Sequence, residues 1–410
     1  MRKSLLISMV LFFGQLMAHA QTTRFEATVV DAVTRSHLPF ASVYVGPEAS
    51  TITNLDGEFV IDCAPDAMLH ISYVGYRAVH VKASELKGVV TLKPNEHLLP
   101  DLVVTPVAPL INKICKETLT QMRNHKRKTS EFFYRQTAFA DSTCYEFLEA
   151  FLSGGSGVAL HDLQLMTGRY AGIVPDSSHF YSYFGNFYTF SEIVVAASYR
   201  SPSPDADLVP LFRNFKKYYK YSYRVIDDDG NRVFVIDFFP NPSSASKYAT
   251  IGCTLFVDEK TLHLRRIVGQ GYNFWVVTRE PKMGRYHLKN QHLLPTSFLF
   301  DVNLTEERGF PEVQSVFVQS MHAFKGQKII TRSTLFNLSM NENVKKTSFF
   351  QRLFKKRKGR MRFDSQIQKV IDKQGYDSTF WDNNEIVRRT TVEQEVMKLF
   401  NNKHLFGVFR

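Results

Sequence analysis

The chain is 410 residues long, with 44% hydrophobic residues, 22% charged residues and a formal net charge of +12. That balance excludes wholesale disorder, and a mean hydropathy of -0.20 with a single long apolar run excludes a multi-span helical membrane protein. A basic excess points to an anionic partner, so the position of the charges becomes the question.

Met1-Arg2-Lys3, an apolar stretch from Leu5 to Met17 and the triplet Ala18-His19-Ala20 follow in order. They read as the positive region, the hydrophobic region and the small-x-small cleavage site of a signal peptide over residues 1–20, so export of the remainder is expected. No cysteine follows the apolar run, and a lipid-modified anchor is not expected. Loss of Arg2 and Lys3 leaves 49 cations against 39 acids, a net +10.

Short apolar runs at spacings near ten residues fill residues 25–105. Phe25–Val30, Ala41–Val45, Phe59–Ile61, Leu69–Val74, Val79–Val81 and Val89–Leu92 are separated by turn signals such as Gly46-Pro47 and Asn54-Leu55-Asp56-Gly57. This is the pattern of a β-sandwich, with Asp56-Gly57 suited to a hairpin corner. Four blocks, Leu38-Pro39-Phe40-Ala41-Ser42-Val43, Thr53-Asn54-Leu55-Asp56-Gly57-Glu58-Phe59, Ile71-Ser72-Tyr73-Val74-Gly75-Tyr76 and Leu102-Val103-Val104, resemble the carboxypeptidase-regulatory-like domain. In Bacteroidetes such a domain opens many TonB-dependent transporters and other exported envelope proteins of unassigned activity. The resemblance implies a transthyretin-like β-sandwich with no catalytic residues of its own, in contact with an envelope protein partner. About 300 residues follow it, too few for the plug and 22-stranded barrel of a transporter.

Pro106 and Pro109 mark a linker. Leu110, Ile111, Ile114, Cys115, Leu119 and Met122 then recur at helical spacing. A mixed, aromatic-rich stretch runs to about residue 200. From Lys217 to Tyr272 the alternation is that of a β-meander, and further strands are expected at 292–304, 313–324 and 328–338. Residues 106–344 are therefore expected to form an α+β domain with a large curved antiparallel sheet of seven or so strands. Its pattern is similar to the half-barrel of periplasmic lipoprotein-carrier proteins, without a shared motif, and that resemblance implies a lipid or acyl ligand.

A C-terminal helical tail is expected over residues 364–410. Its segment Phe380–Thr390 is similar to one that recurs in the Bacteroidetes proteins. Thr390-Thr391-Val392-Glu393 fits a capping box, opening a helix with Val392, Val396, Leu399 and Phe400 on the face that packs against the second domain.

No motif assigns chemistry. None of the thirteen histidines has a glutamate three residues on, which removes the ligand spacing of zinc carboxypeptidases and zincins. Gly154-Gly155-Ser156-Gly157 lacks the spacing of a nucleophile elbow and reads as a flexible loop. Asp227-Asp228-Asp229-Gly230 reads as a hairpin turn, since Phe238 stands where a calcium loop needs its glutamate. His161-Asp162 and Glu146/Glu149 could be drawn into an acid–base pair, but no spacing singles them out. Cys63, Cys115, Cys144 and Cys253 form no CxxC pair. Export permits disulfides, yet a chain of this size builds a core without them, and buried small hydrophobes are expected.

The charge is local. Lys345–Arg362 holds nine cations and no acid, leaving about +1 for the rest of the exported chain. Within a basic amphipathic segment at 345–363, Phe349, Phe350, Leu353 and Phe354 share a helical face flanked by Lys345, Lys346, Arg352, Lys355, Lys356, Arg357, Lys358, Arg360 and Arg362. Rings at the headgroup boundary and cations over phosphates would hold such a segment on an anionic bilayer, each cation contributing about 1 kcal/mol. A solvated loop explains the same composition equally well. Nucleic acid is not expected as a partner of an exported protein.

The sequence thus predicts a mainly β, non-enzymatic envelope protein of the periplasm or outer membrane, with a binding or accessory role. No catalytic, cofactor or metal residue is assigned, and no cofactor is expected. The alternative is an exported hydrolase with an unrecognised site in the second domain, which would place converging polar groups and perturbed acids in one pocket.

Overall fold

The computed structural model describes residues 22–46, 49–95, 107–123, 128–158, 160–172, 215–228, 230–245, 250–278, 292–306, 309–324, 327–338, 359–360, 371, 378–382 and 387–406. The expected signal peptide lies outside them. The chain divides into two compact units, one ending at Pro94 and the other beginning at Asn95.

The first unit is a β-sandwich. Its strands are β1 (Thr23–Asp31), β2 (Ser42–Val45), β3 (Ala49–Ile52), β4 (Glu58–Cys63), β5 (Met68–Ser72), β6 (Val79–Lys82) and β7 (Val89–Leu92). They form sheets of order β4-β1-β7 and β3-β2-β5-β6. The period-two alternation works as expected, with Val29, Val43, Phe59, Leu69, Ile71 and Leu92 meeting in one buried cluster. The turn before β4 is built by Asn54, whose Oδ1 accepts from the backbone N–H of Asp56 and of Glu58, each at 2.9 Å. Gly57 is required there twice over. Its φ is +71°, and a Cβ would lie 2.6 Å from the Val29 carbonyl oxygen. Buried Thr53 ties the Leu38–Ala41 block to this turn: its hydroxyl donates to Leu38 O at 2.6 Å and accepts from Ala41 N–H at 2.9 Å.

The second unit is one antiparallel sheet with helices. Its strands are β8 (Lys128–Ala140), β9 (Thr143–Ser156), β10 (His161–Gly172), β11 (Tyr219–Asp228), β12 (Asn231–Pro240), β13 (Thr250–Asp258), β14 (Leu264–Thr278), β15 (His292–Thr305), β16 (Glu312–Phe324), β17 (Gln327–Asn337) and the two-residue β18 (Gly359–Arg360). Their order is β11-β12-β13-β14-β15-β16-β17-β8-β9-β10-β18. β11 to β17 are a meander in chain order, and β17 then returns to β8, pairing Leu335 with Tyr134. The Asp227–Gly230 region is the expected hairpin turn, in which Gly230 N–H donates to Asp227 Oδ1 at 2.8 Å.

One face of this sheet is apolar and receives α1 (Val107–Arg123). Ile111, Ile114, Cys115 and Leu119 join Phe132, Leu148, Leu152, Ile236, Leu255, Phe300, Val318 and Leu335 in a single buried cluster. Polar bonds fix the end of the helix: Gln121 Nε2 donates to Leu262 O at 2.8 Å and Gln121 Oε1 accepts from Leu264 N–H at 3.3 Å. The four cysteines are buried free thiols.

Two expectations need correction. The stretch read only as mixed and aromatic-rich contains the three long strands β8, β9 and β10, and β9, buried on both faces from Cys144 to Leu152, shows no alternation that would mark it. Gly154, Gly155 and Ser156 are not a loop but the last rungs of β9, opposite Ser130, Thr129 and Lys128.

Candidate functional site

The other face of β8, β9 and β10 carries a row of charge. Antiparallel register places Arg135 directly opposite Glu149, and Glu149 directly opposite Arg169. Side chains directly opposite in a sheet stand about 5 Å apart at Cβ, so the carboxylate is caught between two guanidinium groups. Glu149 is 0% exposed, Arg169 2% and Arg135 3%. Arg135 Nε donates to Glu149 Oε1 at 2.8 Å, and Arg169 Nε donates to Glu149 Oε2 at 2.8 Å.

The C-terminal tail closes over this row. Its elements are α2 (Ser378–Asp382) and α3 (Thr391–Asn402). Arg389 lies 3.4 Å from Glu149 Oε1. Arg135 also donates to Glu393 Oε2 at 3.2 Å and to the Val387 carbonyl at 2.9 Å. Trp381 and Phe406 place their rings 4.8 Å and 5.2 Å from the Arg169 guanidinium, the geometry of cation–π contact. Apolar packing flanks the charges: Phe151 meets Phe380 and Trp381, and Phe147 and Ala171 meet Val396, Met397 and Phe400.

The capping box forms as expected, with Thr390 Oγ1 accepting from Glu393 N–H at 3.1 Å and Glu393 Oε2 accepting from Thr390 N–H at 2.8 Å. The face of α3 differs from the expected one. Glu393, Val396, Met397 and Phe400 are buried, whereas Val392 and Leu399 are 45% and 41% exposed. The cause is Glu393: a capping glutamate that must also reach Arg135 rotates the helix to put its own i, i+3, i+4, i+7 series inward.

Burial alone would raise the Glu149 carboxyl, but Arg135, Arg169 and Arg389 overcome that and hold it down at about 2. A carboxylate so saturated is a poor general base, because proton transfer is most effective with a group poised near the working pH. Glu146 lies on the opposite, apolar face, where its carboxylate accepts from Gln136 Nε2 at 2.7 Å. Alternation along β9 thus sends the two glutamates to opposite faces, and they are not an acid–base pair. The side chains of His161 and Asp162 lie outside the described residues. Elsewhere Arg266 and Asp301 form a buried bidentate pair at 2.9 and 2.6 Å. Among the described residues, no group of three or more His, Cys, Asp or Glu gathers as metal ligands.

The predicted membrane-contact residues Lys345, Lys346, Phe349, Phe350, Arg352, Leu353, Phe354, Lys355, Lys356, Arg357, Lys358 and Arg362 lie outside the described residues. Arg360 is placed by its backbone alone: with Gly359 it forms β18, which pairs with Gln164 and Leu165 on β10. Among the described residues, no helix is long and apolar enough to cross a membrane.

Residues 26–104 match the CarboxypepD_reg-like domain family, in agreement with the sandwich above. No curated protein matches the chain. Among solved structures, the chain is similar to a LolA superfamily protein from Nitrosomonas europaea, at 12% identity and a TM-score of 0.19, over 56% of this chain and 92% of that one. It is also similar to a chain of the Pseudomonas aeruginosa MucA/MucB complex, at 10% identity and a TM-score of 0.17, over 57% of this chain and 96% of that one.

Proposed function

We propose, from the carboxypeptidase-regulatory-like domain at residues 26–104 as premise, that this is a non-enzymatic cell-envelope protein. It serves a binding or accessory role in the periplasm or at the outer membrane. The observation that carries this reading is the apolar face of the large sheet, where a helix and ten long strands present aliphatic and aromatic side chains to one another. An acyl chain would enter between this face and α1, where dispersion contact and removal from water would supply the affinity. The sandwich supplies contacts to an envelope protein, and the basic stretch Lys345–Arg362 supplies contacts to anionic lipid.

Against the hydrolase alternative, Glu149, the acid shifted furthest among the described residues, sits in a sealed ion cluster tied to the tail. The test is direct. The exported chain, purified without detergent, is titrated with a fluorescent long-chain fatty acid and extracted for lipid mass spectrometry. Saturable binding with co-purified lipid is expected. Absence of both, together with turnover of chromogenic ester or amide substrates, would overturn the reading. Membrane contact is tested separately by flotation with phosphatidylglycerol liposomes, comparing the chain with a variant in which Lys355, Lys356, Arg357 and Lys358 are Gln. Equal flotation at low salt would remove that part.

A further inference from the structure

His70 on β5 and His80 on β6 lie directly opposite each other in antiparallel register. Leu69 and Ile71 on β5 are fully buried, so alternation sends both histidines to the outward face of the β3-β2-β5-β6 sheet. Nδ1 of His70 and Nε2 of His80 converge to 2.6 Å, with ring centroids 4.4 Å apart at 71°. On the other side, Tyr44 stands opposite His70 on β2 and stacks its ring 4.4 Å from the imidazole. Stacking limits the rotation of His70 and keeps its Nδ1 directed at His80.

We propose that His70 and His80 form a two-imidazole site for a divalent transition-metal ion, copper(II) ahead of nickel(II) and zinc(II). In the metal-free chain one ring donates its N–H to the lone pair of the other. A metal ion takes the place of that shared proton, accepting one lone pair from each neutral ring. Two metal–nitrogen bonds of about 2.0–2.1 Å, at angles of roughly 90–110°, hold the nitrogens about 2.9–3.3 Å apart. The observed separation reaches that value by a small χ rotation of exposed His80, while Tyr44 keeps His70 in place. Two rigid strands fix both ligands before the ion arrives, and water completes the coordination. The order of metals follows from imidazole donors, for which affinity rises from manganese to copper and falls at zinc. Hard oxygen-seeking ions such as magnesium and calcium are not accommodated.

The test uses the exported chain without an affinity tag, whose added histidines would compete with those the chain keeps once His19, one of its thirteen, leaves with the signal peptide. Copper(II) sulfate is titrated against a competing chelator, and copper electron paramagnetic resonance counts the coordinated nitrogens. The wild-type chain is expected to bind one ion with a two-nitrogen signature. His70→Ala and His80→Gln are each expected to lower affinity at least ~10-fold, because losing a ligand costs no less than losing an outer-shell partner, which costs about 10–100-fold. Metal-free thermal unfolding of both variants, whose changed side chains face solvent, should match wild type. Tyr44→Leu is expected to weaken binding while keeping the two-nitrogen signature. Equal affinity in wild type and both histidine variants would overturn the proposal, as would a wild-type chain that binds copper no better than the double variant.

Discussion

The guanidinium of Arg169 lies 4.8 Å from the ring centre of Trp381, a residue of the tail that stacks on a charge of the sheet. Because Glu149 holds the same guanidinium from the side, the ring can lie over its face. Trp381→Ala removes this lid together with its contact to Phe151. A loss of about 3–5 kcal/mol is expected, checked by urea unfolding. Limited proteolysis should find the segment around residues 378–406 newly accessible.

Glu149→Gln keeps the shape of the side chain and deletes its charge. Arg135 and Arg169 are then left buried with their main counter-charge gone, which costs about 3–5 kcal/mol. Glu393→Gln, with Glu149 still between the arginines, is expected to lose less. Paired denaturation curves check the order of the two variants, and equal losses would show that the row does not centre on Glu149.

The same carboxylate predicts an acid limit. Its folded-state value of about 2 lies below its ordinary value of 4.5, so the unfolded chain binds the proton more readily. The stabilisation is complete above about pH 4.5 and is lost as pH falls toward 2. Denaturant midpoints measured from pH 6 to pH 3 should decline steeply in wild type. The decline should be shallower in Glu149→Gln.

Burial pushes the thiols of Cys115 and Cys144 up to about 12, and Cys63 and Cys253 are buried as well. Thiolate is the reactive form, so a disulfide reagent at pH 8 is expected to modify none of the four in the native chain and all four in denaturant. One fast-reacting thiol in the native chain would contradict this arrangement.

Gly269 on β14 packs against β13 with no room for a side chain. A Cβ would meet the Gly252 carbonyl oxygen at 2.1 Å and the Cys253 Cα at 2.7 Å. Both obstacles are backbone, so Gly269→Ala must separate two central strands. A loss of about 1–3 kcal/mol is expected, read as a lower thermal midpoint.

The sandwich was legible because β2, β4, β5 and β7 alternate buried with more open positions, and its turns use Asn54, Asp56 and Gly57 for chemistry that those residue types supply. The meander from β11 to β17 was legible from turn signals such as Asp227–Gly230 and from alternating residues such as Tyr219, Tyr221, Tyr223 and Val225, although β12 is buried on both faces from Val233 to Ile236. β8, β9 and β10 were not, since burial on both faces erases the period of two. Arg135, Glu149 and Arg169 looked like surface charge in the sequence. Their separations of 14 and 20 residues carry no signal until strand register is known. The tail helix was announced by Thr390 and Glu393, but its inward face was set by Arg135, a residue 258 positions away from Glu393.

That separation bears on the order in which the molecule can be completed. β8, β9 and β10 are neighbours in sequence and can pair at small entropic expense. They then carry an exposed row of two arginines and one glutamate, flanked by Phe133, Phe147 and Phe151. Trp381 and residues 387–406, which follow every long strand among the described residues, are what cover it. A nascent chain therefore presents an aromatic, cationic stripe that the finished protein lacks. That interval, rather than any property of the native surface, is when the second unit is most open to capture by a chaperone or to self-association.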